Sequence, residues 1–234
     1  MNEQEFVQAI SELGIEITDY QRKQFKKYYE LLIEWNEKMN LTGITKKEEV
    51  YLKHFYDSAT IIKIIKVEDF QNLCDVGSGA GFPGVIIKIL YPDLKITLID
   101  SLLKRITFLD EVIKELKLEK IETIHCRIEE FGQENRESFD IVTARAVAPL
   151  NVLLEYCIPI VKKDKFFVPL KGNISREISL SNKALIELKC KIINKMEFYL
   201  PIENSFRSLI LVKKEELTPM KYPRRFDKIK KKPL

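Results

Sequence analysis

The chain has 234 residues, 45% of them hydrophobic and 32% charged, which is enough apolar material for a packed core and argues against wholesale disorder; the length suits one α/β domain with an appendage, or two small units. The start, Met-Asn-Glu-Gln-Glu-Phe, lacks the cationic and apolar stretches of a secretory leader, and Lys88 interrupts the apolar run at 85–90, so no membrane span and a cytoplasmic location are expected. Net charge is +4, but residues 221–234 hold seven basic side chains against Asp227 alone, net +6, leaving −2 for the other 220 residues.

Residues 1–66 read as helical. Phe6, Ala9, Ile10 and Leu13 recur at helical spacing up to Gly14, and Thr18 caps a long amphipathic helix carrying Phe25, Tyr28, Leu31, Leu32 and Trp35. Asn40 to Gly43 reads as a turn, and a further helical pattern over 46–66 contains His54, Asp57 and Ser58. From about Glu68 short β-branched runs alternate with helical stretches: strands are predicted at 73–76, 95–99, 121–125, 139–143 and 165–169, and helices at 83–90, 102–116, 149–161 and 175–188. This alternation predicts a mostly parallel sheet with helices on both faces. Two last strand-like pieces, near 191–199 and 208–213, have no helix between them and predict an antiparallel edge hairpin. The division expected is a helical extension over 1–66, an α/β domain over 67–213 and a basic tail over 214–234. The tail reads either as a polyanion-binding strip or as a solvated, disordered end.

Asp75-Val-Gly77-Ser-Gly79-Ala-Gly81-Phe82-Pro83-Gly84 lies where the first strand of the sheet turns into a helix. Glycines there let the backbone turn tightly and approach a ligand beside free amides. Gly79-x-Gly81-x-x-Gly84 matches a dinucleotide fingerprint literally, so a nicotinamide-type nucleotide-binding protein, or an assembly factor without chemistry, remains the rival reading. Acid-x-Gly-x-Gly-x-Gly from Asp75 is instead the loop of S-adenosylmethionine (SAM) enzymes, where a carboxylate can meet the cationic amino group of the methionine moiety; toward a pyrophosphate it would be repulsive. Asp100 ends the second strand, placed to accept hydrogen bonds from a ribose. Ile128 and Glu129, after the third, can frame an adenine edge.

Cys74, Cys126, Cys157 and Cys190 stand 52, 31 and 33 positions apart, and only His54 and His125 accompany them. Free thiols are expected, and no metal site.

Asn40-Leu-Thr42, His54-x-x-Asp57-Ser58, Asp75 through Gly84, Asp100-Ser-Leu-x-Lys104-Arg105, Ala144-Arg145-Ala146 and Leu170-Lys171-Gly172 occur together and in order. In this the chain resembles the bacterial GidB/RsmG family of 16S ribosomal RNA guanine-N7 methyltransferases over nearly its whole length. The resemblance implies a class I SAM-dependent methyltransferase fold with a seven-stranded sheet and a helical N-terminal extension. It implies SAM contacts at Gly77, Phe82, Ile128, Glu129 and Arg145, with Asp75, Gly79 and Asp100 completing the cofactor set, and 16S rRNA as partner of a monomer. Lys221-Tyr-Pro-Arg224-Arg225 matches a basic tail found in some members, but Asp227, Ile229 and lysines stand where those members have Gly and Pro.

The chemistry is compatible. Guanine N7 carries an in-plane lone pair and no proton, so its attack on a sulfonium methyl needs no general base. The position after the fourth strand reads Thr143-Ala144-Arg145-Ala146, with neither an Asn/Asp-Pro-Pro-aromatic motif nor a cysteine nucleophile. Catalysis is then expected from alignment and electrostatics, with Arg145 orienting SAM or the target nucleotide. Lys104, Arg105, Lys171, Lys221, Arg224 and Arg225 are the expected RNA contacts.

Overall fold

The computed structural model describes residues 1–234. Helix α1 (Glu3–Ser11) opens on Asn2 and α2 (Asp19–Met39) on Thr18, each through a reciprocal cap with the third helical residue, Glu5 or Gln21, that satisfies two backbone donors. The predicted helix over 46–66 is not continuous. It runs as α3 (Lys47–Val50), a π-helical turn (Tyr51–Tyr56), α4 (Asp57–Ala59) and a 3-10 turn (Thr60–Lys63). The widened turn serves two sides at once. Tyr51 and Phe55 join Phe6, Phe25 and Tyr28 in an aromatic cluster, while His54 stacks on Phe82 at 4.5 Å between ring centroids. Such aromatic pairs contribute about 0.5–1.5 kcal/mol each beyond their buried area.

The sheet is built from β1 (Asn72–Val76), β2 (Lys95–Asp100), β3 (Ile121–His125), β4 (Phe139–Arg145), β5 (Val161–Lys171), β6 (Cys190–Tyr199) and β7 (Phe206–Lys214), in the order β3-β2-β1-β4-β5-β7-β6. The first five strands are parallel, and β7 pairs antiparallel with both β5 and β6. The expected hairpin is there, with β6 at the edge. Alternate strand residues feed two cores. Leu73, Ile141 and Leu209 face α1 to α4 together with α5 (Gly84–Leu90) and α6 (Leu103–Glu115). Cys74, Val142 and Ile210 face α7 (Ile128–Glu134), α8 (Leu150–Cys157), α9 (Ser175–Leu180), α10 (Asn182–Glu187) and the tail.

The first helices are stitched to the sheet helices by polar bonds as well as by burial. Gln21 Nε2 donates to the Ile89 carbonyl at 2.7 Å and Gln24 Nε2 to the Leu116 carbonyl at 2.8 Å, closing the carboxyl ends of α5 and α6, where helix carbonyls otherwise lack partners.

Four other stretches also differ from expectation. α7 occupies a stretch for which the sequence pattern predicts no element. The helix predicted to reach 161 ends at Cys157, and a 3-10 turn through Pro159, which has no N–H to give, leads into β5. The helix predicted over 175–188 divides at Ser181, whose hydroxyl donates back to the Glu177 carbonyl at 2.7 Å. The tail is ordered, though its cations largely face solvent: it carries α11 (Phe226–Lys231), and Tyr222, Ile229 and Leu234 are buried in the second core. Its anchor is Arg224, whose guanidinium forks the fully buried carboxylate of Glu155 at 2.7 and 2.6 Å while its amide donates to the same group.

Candidate active site

In open parallel sheets, ligands bind beyond the carboxyl ends of the strands where strand order reverses. Here that point lies between β1 and β4, and a cavity of about 700 Å³ opens there. Along the sheet edge its lining runs from Gly77 after β1, through Asp100 at the end of β2, to Ile128 and Glu129 after β3, and Arg105, Ala146 to Pro149 and Val152 complete it, with Val147 against Gly77.

The glycine loop is held from behind. Gly77 and Ser78 donate to the Ile99 carbonyl at 2.8 and 3.0 Å, and Ser78 Oγ donates to the Asp75 carbonyl at 2.9 Å. Gly77 has φ +69°, and a Cβ there would come within 2.6 Å of a Val147 methyl, so the position needs glycine for both backbone and space. Gly79 donates to Asp100 Oδ2 at 2.9 Å.

Asp100 is nearly buried and heavily engaged. Oδ2 also takes Arg105 Nη1 at 3.1 Å, and Oδ1 takes the Leu102 amide at 2.9 Å. A carboxylate offers about four lone-pair directions. One acceptor site thus remains, and a second appears if the half-exposed Arg105 swings away. Glu129, in the first turn of α7, is buried, and its Oε1 accepts from Arg127 Nε at 2.6 Å.

Three expected cofactor contacts are not on the cavity wall: Gly79, whose amide is spent on Asp100, and Asp75 and Phe82, which lie behind it. Asp75 is fully buried, and its Oδ2 accepts from the Gly84 amide at 2.9 Å, while Oδ1 has no partner. Burial pushes its carboxyl up to about 7, against the lowering pull of the Gly84 amide and the Arg145 cation. Phe82 turns away from the cavity, into the aromatic cluster, with His54 on its face.

Arg145 is also absent from the cavity lining. Its guanidinium reaches across to the helical extension, donating to the Lys53 carbonyl at 2.9 Å, to Asp57 Oδ2 at 3.3 Å and to His54 Nδ1 at 3.1 Å, 5.1 Å from the Phe82 centroid. Arg207 Nε completes the cluster on Asp57 Oδ1 at 2.9 Å. Because arginine only donates, His54 Nδ1 must accept, so Nε2 carries the proton and donates to Thr42 Oγ1 at 2.8 Å. Burial, aided by the Arg145 charge, lowers the imidazole to about 3 and keeps it neutral.

The basic residues expected on RNA divide in the same way. Lys171 Nζ is committed to the Ala148 carbonyl and to Glu177, both at 2.8 Å, and Arg224 to Glu155; each finds an internal partner that spacing does not reveal. Lys221 pairs on the surface with Glu187 at 3.0 Å. Lys104 is exposed with Nζ on the Met39 carbonyl at 3.1 Å, Arg225 is exposed at the start of α11, and Arg105 lines the cavity.

Sequence reasoning missed the contribution of the tail, since Phe226, Lys230 and Pro233 line the same cavity. It also missed Cys126 on the wall. No group of three or more His, Cys, Asp or Glu side chains is arranged to hold a metal, and no helix is long and apolar enough to cross a membrane.

A five-stranded parallel sheet with an antiparallel pair beyond β5, a glycine loop after β1 and an acid ending β2 define the class I methyltransferase fold. Solved structures share it. TYW2 of M. jannaschii in complex with AdoMet superposes with a TM-score of 0.52 at 14% identity over 62% of this chain and 69% of that one. TrmN from Thermus thermophilus gives 0.53 at 13% identity, over 70% and 53%. The chain belongs to the GidB family, rRNA small subunit methyltransferase G, whose model matches residues 21–201. It is 50% identical to the ribosomal RNA small subunit methyltransferase G of Exiguobacterium sibiricum over the full length of both, and 49% identical to that of Bacillus subtilis over 96% of this chain and 95% of the relative.

Proposed function

We propose that the protein transfers the methyl group of S-adenosylmethionine to N7 of a guanine in 16S ribosomal RNA. The observation that carries the reading is the single cavity that joins Gly77, Asp100, Ile128 and Glu129 at the carboxyl ends of β1, β2 and β3. Its volume lies within the range of sites that enclose a small cofactor, roughly 300–1,000 Å³.

The residues present suit that cofactor. Gly77 lines the cavity with bare backbone, packed beside Val147, the free acceptor of Asp100 suits a ribose hydroxyl, and Ile128 with Val152 offers apolar faces to a purine. Bound SAM supplies a sulfonium-activated methyl group. The protein's part is to align that donor with the acceptor nitrogen and to keep water out of the line between them. No side chain need remove a proton, because the acceptor lone pair carries none.

The titratable groups on the wall support this economy. Burial, with the nearby carboxylates of Glu130, Glu134 and Glu129, pushes the Cys126 thiol up to about 11, so it is not a thiolate nucleophile near neutral pH. Glu129 is held by Arg127 and Asp100 by Arg105 and two amides. Arg145 serves by fixing the β4 end and the extension around Phe82, and is a positioning residue. Arg105, Arg127 and Lys230 on the cavity lining, with the exposed Lys104 and Arg225, provide cations for RNA phosphate, and affinity for RNA should fall as salt rises.

The test is incubation of the purified protein with SAM and small-subunit rRNA, followed by nucleoside mass mapping. Appearance of 7-methylguanosine at one position supports the reading. A methyl group on another base or atom, or none on free RNA and assembled subunits alike, refutes it.

A further inference from the structure

The basic tail reads in sequence as an arm for RNA, yet the structure builds it into the wall of the cofactor cavity. The last fourteen residues cross the second face of the sheet and are tied down at several points. Tyr222 Oη donates to Glu187 at 2.8 Å, Arg136 donates to the Tyr222 and Thr218 carbonyls, Arg224 grips Glu155, and Asn151 Nδ2 donates to the Leu234 carbonyl at 3.1 Å. Helix α11 is therefore held on both sides of its six residues.

Its two faces divide the work. Ile229 is fully buried in the second core, whereas Phe226 and Lys230, four residues apart and so on one helical face, line the cavity. The Phe226 ring remains partly exposed there, with the Arg127 guanidinium 4.0 Å from its centroid. Arg127 in turn holds Glu129. These residues stand at the end of β3, beyond Asp100. A nucleoside whose ribose engages Asp100 and whose sulfur end lies at Gly77 must place its purine at that far end, among Ile128, Val152, Tyr156 and Phe226.

We infer that α11 is a wall of the cofactor site, and that Phe226 provides an aromatic face for the purine of the bound nucleoside. This rests on the SAM reading of the same cavity. Base-to-aromatic contacts of this kind are worth enough that losing the ring weakens binding severalfold to a hundredfold.

The experiment is calorimetric titration of the full-length protein with S-adenosylmethionine and S-adenosylhomocysteine. The wild type, Phe226→Ala, Phe226→Tyr and a chain ending at Arg225 are compared, with Lys231→Ala on the exposed face as control. Phe226→Ala and the truncation should each weaken binding by about tenfold or more, about 1.4 kcal/mol, while Phe226→Tyr and Lys231→Ala stay within about twofold of wild type. Thermal melts of each variant separate loss of binding from loss of fold. Phe226→Ala binding within about threefold of wild type would overturn the inference while leaving the cofactor reading intact, as would equal losses in Phe226→Ala and Phe226→Tyr. A wild type that binds neither compound would overturn the cofactor reading itself.

Discussion

Replacing His54 by Gln should make the protein relatively more tolerant of acid. The imidazole is buried with its Nδ1 lone pair facing the Arg145 guanidinium and its Nε2–H on Thr42, an arrangement that has no place for a second proton. Its folded-state value is lowered from 6.5 to about 3. The unfolded chain therefore binds a proton here between about pH 6.5 and pH 3 that the native state refuses, and stability falls as pH falls through that window. At pH 5 the unfolded imidazole gains about 2 kcal/mol from protonation, 1.5 pH units at roughly 1.36 kcal/mol each. Asp75 acts in the opposite sense. Its folded value is raised from 3.8 to about 7, so the native state takes up that proton first and gains stability on acidification across the interval. The two contributions partly cancel in the wild type, and only the difference between variant and wild type isolates His54. Urea unfolding at pH 8 should show a cost of about 1–3 kcal/mol for the lost buried bonds. At pH 5 that cost should shrink by about 2 kcal/mol, with m-values unchanged. A cost that stays the same at both pH values, within about 0.5 kcal/mol, would refute the assignment of a neutral, proton-refusing histidine.

Two further outcomes follow from packing. Gly81→Ala places a Cβ 2.6 Å from both Tyr28 Oη and a Val85 methyl, at φ +97°, where both neighbours are fully buried; it should cost about 3 kcal/mol or more in thermal or urea unfolding, and a loss under about 1 kcal/mol would show that the loop relaxes freely. Arg224→Ala leaves the Glu155 carboxylate buried and unpaired and should cost about 3 kcal/mol, or else expose residues 222–234 to rapid amide exchange. Adding Glu155→Gln should recover part of that loss, and no recovery would mean that the ion pair is not the anchor.

Much of the fold was legible because the period of the hydrophobic pattern changes near Glu68 and because glycines and acids fall at strand ends. Thr18 announced its helix, and Asp100 its place at the end of β2. The π-helical turn at Tyr51–Tyr56 was not legible, since it arises from packing His54 against Phe82 and Phe55 against Tyr28, contacts distant in sequence. α7 is too short, and too rich in glutamate, to show a stripe. The fates of Arg145, Lys171 and Arg224 were hidden for one reason. Whether a cation faces solvent or an internal carboxylate partner depends on Asp57, Glu177 and Glu155, none of which declares its partner by spacing. The tail misled through its composition. Seven cations outweigh to the eye the three apolar residues, Tyr222, Ile229 and Leu234, that dock it.

The hydroxyl of Tyr28 donates to the carbonyl of Ala80, inside the glycine loop. A residue of the first long helix thereby clamps the backbone that shapes the cofactor cavity, and the aromatic side chains around it seal the same joint. The consequence bears on dissection of the molecule. A fragment beginning near residue 67 would keep every strand and every glycine yet lose the brace beneath the loop, so the smallest working unit of this enzyme must begin at its amino-terminal helices.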